Sequence, residues 1–105
     1  MEQYAVFNCD GRHGPSLKDV LEPLGLRKTP VIRRFTGQGV RVTYRYDSKE
    51  EPWNLAWSDR LHTVTVTEIY VKADSYAKAE PARKAIEDYL SKHSPRIFQQ
   101  CTLGQ

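Results

Sequence analysis

Leu61-His62-Thr63-Val64-Thr65-Val66-Thr67-Glu68-Ile69-Tyr70-Val71 is the stretch whose reading decides the fold. It is dense in β-branched and aromatic residues, which suit a pleated, half-buried surface, and it predicts one long strand. Val64 and Val66 share one face, and Thr63, Thr65 and Thr67 share the other. The alternation then slips, because Ile69 and Val71 carry the apolar signal on threonine positions. One extra residue resets a period of two. A β-bulge near Thr67 and Glu68, between Val66 and Ile69, is therefore expected to return both to the core side. The alternative is a strand covered on both faces over this half.

A helix follows Lys72-Ala73-Asp74, with Ser75 or Asp74 as its cap. Tyr76, Ala79, Ala82, Ile86, Tyr89 and Leu90 fall at helical spacing on one face. Arg83–Glu87 and Lys84–Asp88 are available on the other as i,i+4 pairs. Pro81 removes one backbone hydrogen bond inside such a helix, so the reading is one helix kinked there, with a start at Glu80 and Pro81 as the alternative.

Working outward, Gln3-Tyr4-Ala5-Val6-Phe7-Asn8-Cys9 reads as a first strand, followed by a loop over Asp10-Gly11-Arg12-His13-Gly14-Pro15. Ser16 with Asp19 forms a capping-box pattern for a short helix whose stripe is Leu17, Val20, Leu21 and Leu24. Pro23 and Gly25 end it. Residues 30–35 read as a second strand and residues 40–46 as a third, joined by a hairpin turn over Thr36-Gly37-Gln38-Gly39. In the third, Val40, Val42, Tyr44 and Tyr46 share a face opposite Arg41, Thr43 and Arg45. The strand from Leu61 is expected to return antiparallel to it. Residues 96–103 read as a last strand or a docked tail. The order β-α-β-β-β-α, with an optional C-terminal strand, predicts an α+β fold. Its antiparallel sheet of three to five strands carries two helices packed on one face.

The chain of 105 residues reads as one domain, residues 1–105. No apolar run approaches a membrane span, and the N-terminus lacks the charged-then-apolar order of a secretion signal. A cytoplasmic location and reduced cysteines, Cys9 and Cys101, are the expectation. Cys9, His13, His62, His93 and Cys101 stand at spacings that suit no metal site, so neither a metal nor another cofactor is expected.

Net charge is +3, and its distribution says more than its size. No acidic residue lies between Glu22 and Asp47, whereas Arg27, Lys28, Arg33, Arg34, Arg41 and Arg45 all do. Arg41 and Arg45 on one strand face, with Thr63, Thr65 and Thr67 flanking and Arg33 or Arg34 joining, are expected to hold phosphate oxygens. The leading expectation is thus a non-enzymatic binding module for an acidic partner: RNA or DNA, or an acidic protein surface. A second reading is a small stand-alone inhibitor or adaptor, of the size seen among phage and mobile-element proteins, that binds another protein through Trp53 and Trp57. A third is a small nuclease using His13, His62 and Arg45. The Cys9 and His13 pair, in a glycine-rich loop, is the most enzyme-like segment.

The run Ala77-Lys78-Ala79-Glu80-Pro81-Ala82-Arg83-Lys84-Ala85-Ile86 resembles the last helix of double-stranded-RNA-binding domains, whose helix, three strands, helix order would cover about residues 15–90. Asp74 and Ser75 stand where that family carries paired lysines, Pro81 takes an alanine position, and the strand from Leu61 is long for the family. The family is not assigned on this run.

Overall fold

The computed structural model describes the backbone of residues 1–52, 61–93 and 97–100, and the side chains of 1–48 and 65–93. In chain order the elements are β1 (Glu2–Asp10), α1 (Leu17–Leu21) with a 3-10 turn (Glu22–Leu24), and β2 (Arg27–Lys28). They continue with β3 (Arg34–Gly37), β4 (Val40–Pro52), β5 (Leu61–Ala73), α2 (Tyr76–His93) and β6 (Ile97–Gln100). One sheet runs β2-β3-β4-β5-β1-β6, and every pairing in it is antiparallel. The expected α+β class holds, and both helices pack on one face. The sheet exceeds the expected strand number because two residues at Arg27–Lys28 add an edge and the C-terminal strand forms.

The core lies between that face and the helices. Ala5, Phe7 and Cys9 of β1, Val40 and Val42 of β4, and Ile69, Val71 and Ala73 of β5 meet Leu17 and Leu21 of α1 and Ala79, Ala82, Ile86 and Leu90 of α2. Of the expected stripes, Leu17, Leu21, Ala79, Ala82, Ile86 and Leu90 are buried and Val20, Leu24 and Tyr89 half-buried, whereas Tyr76, in the first turn of α2, is exposed. Helix α2 is continuous, with Pro81 inside it and exposed. Ser75 Oγ accepts the Lys78 N–H at its start. Arg83 bonds Glu87 (2.6 Å) and also Glu80 (2.5 Å), and its guanidinium holds the Glu80 carboxyl below its usual range. Lys84 and Asp88 form no ion pair among the described residues. Ser16 precedes α1 without a side-chain cap bond, which corrects the capping-box expectation; its backbone is already helical, so its hydroxyl is not placed to cap.

Three further expectations are corrected. The bulge is not in β5: β4 and β5 pair without interruption from Val40 opposite Ala73 to Pro52 opposite Leu61. The irregularity falls in β1 instead, where the register shifts between Gln3 and Ala5. That shift lets Tyr4 join Ala5 in the core, edge-on to Tyr76. In β5, Val66, Thr67, Glu68 and Ile69 are buried in succession, so the strand is covered on both faces over this half.

Nor is there a strand over residues 30–35. Thr29 N–H bonds Arg34 O (3.0 Å), closing a loop, and Arg33 takes a positive φ of 58° that reverses the chain. The strand begins only at Arg34. The hairpin turn that follows narrows to Gln38 and Gly39, both at positive φ, as a two-residue turn requires.

Thr67 ties the loop after β1 to the sheet. Its hydroxyl donates to Gly11 O (2.5 Å) and accepts from His13 N–H (3.1 Å), while Gly11 N–H donates to Thr65 O (2.7 Å). Gly14 packs so closely that a Cβ there would overlap the ring of Tyr44 and the hydroxyl of Tyr46. Thr67→Val keeps the shape but leaves a carbonyl and an N–H without partners. It should lower the unfolding free energy by about 1–3 kcal/mol, read from urea denaturation.

Candidate functional site

Strand register sorts the basic residues onto two faces, since directly opposed residues on antiparallel strands share a side. Arg27 stands opposite Thr36, Thr36 opposite Arg41, Arg41 opposite Lys72, and Lys72 opposite Gln3, a row across five strands. The next row runs Arg34, Thr43, Tyr70, Val6, and the next Arg45, Glu68, Asn8. Apart from Arg27, these rows lie on the face opposite the helices; Arg27, on the two-residue edge strand, lines a separate cleft with Asp19, Glu22 and Pro23 of α1 and the turn after it. Lys28 stands opposite the core residue Phe35 and so belongs to the helix side.

The expected arginine and threonine face does not form. Thr65 and Thr67 are in phase with Ile69, opposite Ser48 and Tyr46, on the side away from Arg41 and Arg45. The unbroken ladder is the reason. Arg33 is also elsewhere: its guanidinium lies 5.3 Å from the centroid of the Tyr46 ring, with Arg12 at 4.7 Å from the same ring. Tyr46 is in phase with the core residues Val40 and Val42. Arg12 was not singled out in the sequence because nothing local links it to a tyrosine 34 positions away.

Arg45 is engaged. Its Nε donates to Glu68 Oε2 (2.8 Å), and Tyr70 Oη donates to the same oxygen. The Glu68 carboxylate raises the Arg45 and Tyr70 pKa values through these hydrogen bonds. With Glu68 largely buried, Arg45 chiefly keeps that carboxylate paired.

Arg34, Arg41 and Lys72 differ. With Gln3, Thr43 and Tyr70 they line a shallow cleft of ≈ 290 Å³. Among the described residues none of the three forms an ion pair. The Nε atoms of Arg34 and Arg41 are buried without a hydrogen-bond partner there. Lys72 and Gln3 escaped the sequence reading because they join the arginines only through strand pairing. Three cations, a hydroxyl and an amide can hold anionic oxygens. The lining offers no carboxylate, histidine or thiol for acid–base or nucleophilic work.

Among the described residues no hydrogen bond joins Cys9 to His13. Cys9 is fully buried, and its Sγ donates to Thr67 O (3.6 Å). His13 Nε2 donates to the Asp10 carbonyl (2.8 Å), and Nδ1 is hydrogen-bonded to Tyr89 Oη (3.2 Å). His13 thus faces α2, whereas Arg45 lies on the opposite face, which separates the parts of the nuclease scheme. The side chain of His62, together with Trp53, Trp57 and Cys101, lies outside the described residues. No group of three or more metal-ligating side chains occurs among the described residues. No helix there is long and apolar enough to cross a membrane.

No protein-family model, no curated protein and no solved structure matches this chain.

Burial, and secondarily the Asp10 charge, pushes the Cys9 thiol up to about 11. In a Cys101→Ser background, Cys9 should therefore resist a thiol-reactive dye in mildly alkaline native buffer and react fully once unfolded. Rapid native labelling would show that the thiol is reachable and ionised.

Proposed function

We propose that this chain is a non-enzymatic binding module for an acidic partner, and that the partner is a nucleic-acid backbone laid across the second face of its sheet. One observation carries the reading. Arg34 and Arg41 each bury an unpartnered Nε–H beside Lys72, with no carboxylate in the cleft they line. A buried donor without a partner costs free energy, and a change of rotamer that turns each guanidinium outward would present that donor to a phosphate oxygen. The row Arg41, Lys72 and Gln3 extends the same donors across three adjacent strands, which suits a linear polyanion better than a single small anion. A cytoplasmic setting accords with this reading, since the free thiol of Cys9 stays reduced there.

Anisotropy titrations of labelled generic RNA and DNA over a range of salt concentrations test it. Affinity should fall steeply with salt. Arg41→Gln and Lys72→Gln should each flatten the slope of log affinity against log salt by about one unit. They should weaken all sequences alike, as phosphate contacts do. Arg45→Gln should change the slope less, because Glu68 already neutralises that side chain. Binding insensitive to salt and to these changes, but lost when Trp53 and Trp57 become alanine, would instead favour an adaptor or inhibitor that docks on another protein.

A further inference from the structure

Between the short strands β2 and β3 the chain holds two aliphatic side chains out in water. Ile32 is 74% exposed and Val31 46%, although both are β-branched residues that favour burial. The loop is built to do this. Thr29 N–H bonds Arg34 O (3.0 Å), Val31 N–H bonds Thr29 Oγ1 (3.1 Å), and that hydroxyl donates back to Val31 O (3.2 Å). Tyr44 N–H then bonds Arg33 O (3.1 Å), which anchors the loop to β4. Arg33 takes a left-handed conformation that non-glycine residues seldom adopt, and it is held there. A fixed loop loses little conformational freedom on binding, so its exposed isoleucine is preorganised for insertion.

The surroundings identify what it would enter. From residue 23 to residue 46 every charged side chain is positive. Arg27 and Lys28 precede the loop, Arg33 ends it with its guanidinium over the Tyr46 ring, and Arg34 follows. An apolar pocket on a protein would account for Ile32 but, without an acidic rim, not for the flanking cations. A nucleic-acid duplex accounts for both, since a base stack is apolar between its faces and flanked by phosphates. Arg34 also lines the cleft on the second face, so the loop and the proposed phosphate track share a residue.

Resting on the nucleic-acid reading above, we infer that loop 29–33 is a wedge: Ile32, with Val31 beside it, inserts between base pairs of duplex DNA and kinks it. Unstacking a step costs free energy, which the added contacts of a bent duplex with the cationic face offset. The wedge would favour steps that unstack easily, giving a preference without hydrogen bonds to base edges.

The experiment uses the full chain and a short mixed-sequence DNA duplex with donor and acceptor dyes at its two ends, read by anisotropy and energy transfer. The wild type should bind and bring the ends closer. Ile32→Ala should fold normally, since the side chain is exposed, and bind about tenfold to a hundredfold more weakly, from the burial lost. It should leave the salt slope unchanged and the duplex straight. Ile32→Phe, a larger wedge, should retain bending. Salt-dependent binding by a wild type that leaves the duplex straight, with Ile32→Ala binding equally well, would overturn the wedge and leave the nucleic-acid reading standing. Failure of the wild type to retain duplex or single strands at low salt would overturn both. So would binding to phosphatidylserine-containing vesicles, but not to nucleic acid, that is lost in Ile32→Ala; the loop would then be a membrane-surface contact.

Discussion

Thirteen residues of β4 meet thirteen of β5 in unbroken antiparallel register. With a side-chain period of two, that ladder fixes the side of the sheet on which every residue of both strands falls. It sends Val40, Val42, Ile69, Val71 and Ala73 towards the helices and Arg41, Thr43, Tyr70 and Lys72 away from them. A slip of one residue in either strand would exchange the two faces of that strand, turning Arg41 or Lys72 towards the helices and exposing core residues. The penalty for burying unpaired charge makes such a slip prohibitive, so the apolar core and the cationic face specify each other. The irregularity the sheet does need is placed in β1, where it brings Tyr4 into the core without disturbing the central pair.

The charges on the second face are not equivalent, and the difference comes from neighbours rather than from residue type. Arg45 sits opposite Glu68, whose carboxylate it shares with Tyr70. Arg34, Arg41 and Lys72 have no such neighbour among the described residues. Like charges held together destabilise the free protein by mutual repulsion, and neutralisation by an anion removes that cost. The same arrangement therefore weakens the isolated chain slightly and favours the complex proposed for it. Arg12 and Arg33 follow another course, over the ring of Tyr46, where they meet the negative face of an aromatic ring.

On the helix side, polar atoms near the first loop hold the fold together. The hydroxyl of Thr67, the ring of His13 and the hydroxyl of Tyr89 form a connected path from β5 through the loop to α2. The thiol of Cys9 donates to the Thr67 carbonyl beside it. Residues that look chemically active in sequence thus have their donors and acceptors engaged in closing one end of the core.

The sequence by itself determined the elements whose signal is local and repeated. The stripe of α2 from Ala79 to Leu90, the alternation of Val40, Val42 and Tyr44 against Arg41, Thr43 and Arg45, and the antiparallel return from Leu61 were all legible, because burial imposes a period on each. The basic character of residues 23–46 was legible too. Tertiary structure alone decided what depends on two segments meeting. Lys72 and Gln3 joined Arg41 through strand register, and the threonines of β5 fell on the helix side for the same reason. The segment around Val31 and Ile32 read as a strand because β-branched residues favour one. It became a loop because the Thr29 side chain closes a local turn and Arg33 is held at positive φ, while its carbonyl bonds to β4. Propensity describes what a residue does on average, whereas hydrogen bonds to distant strands fix what it does at one position in the fold.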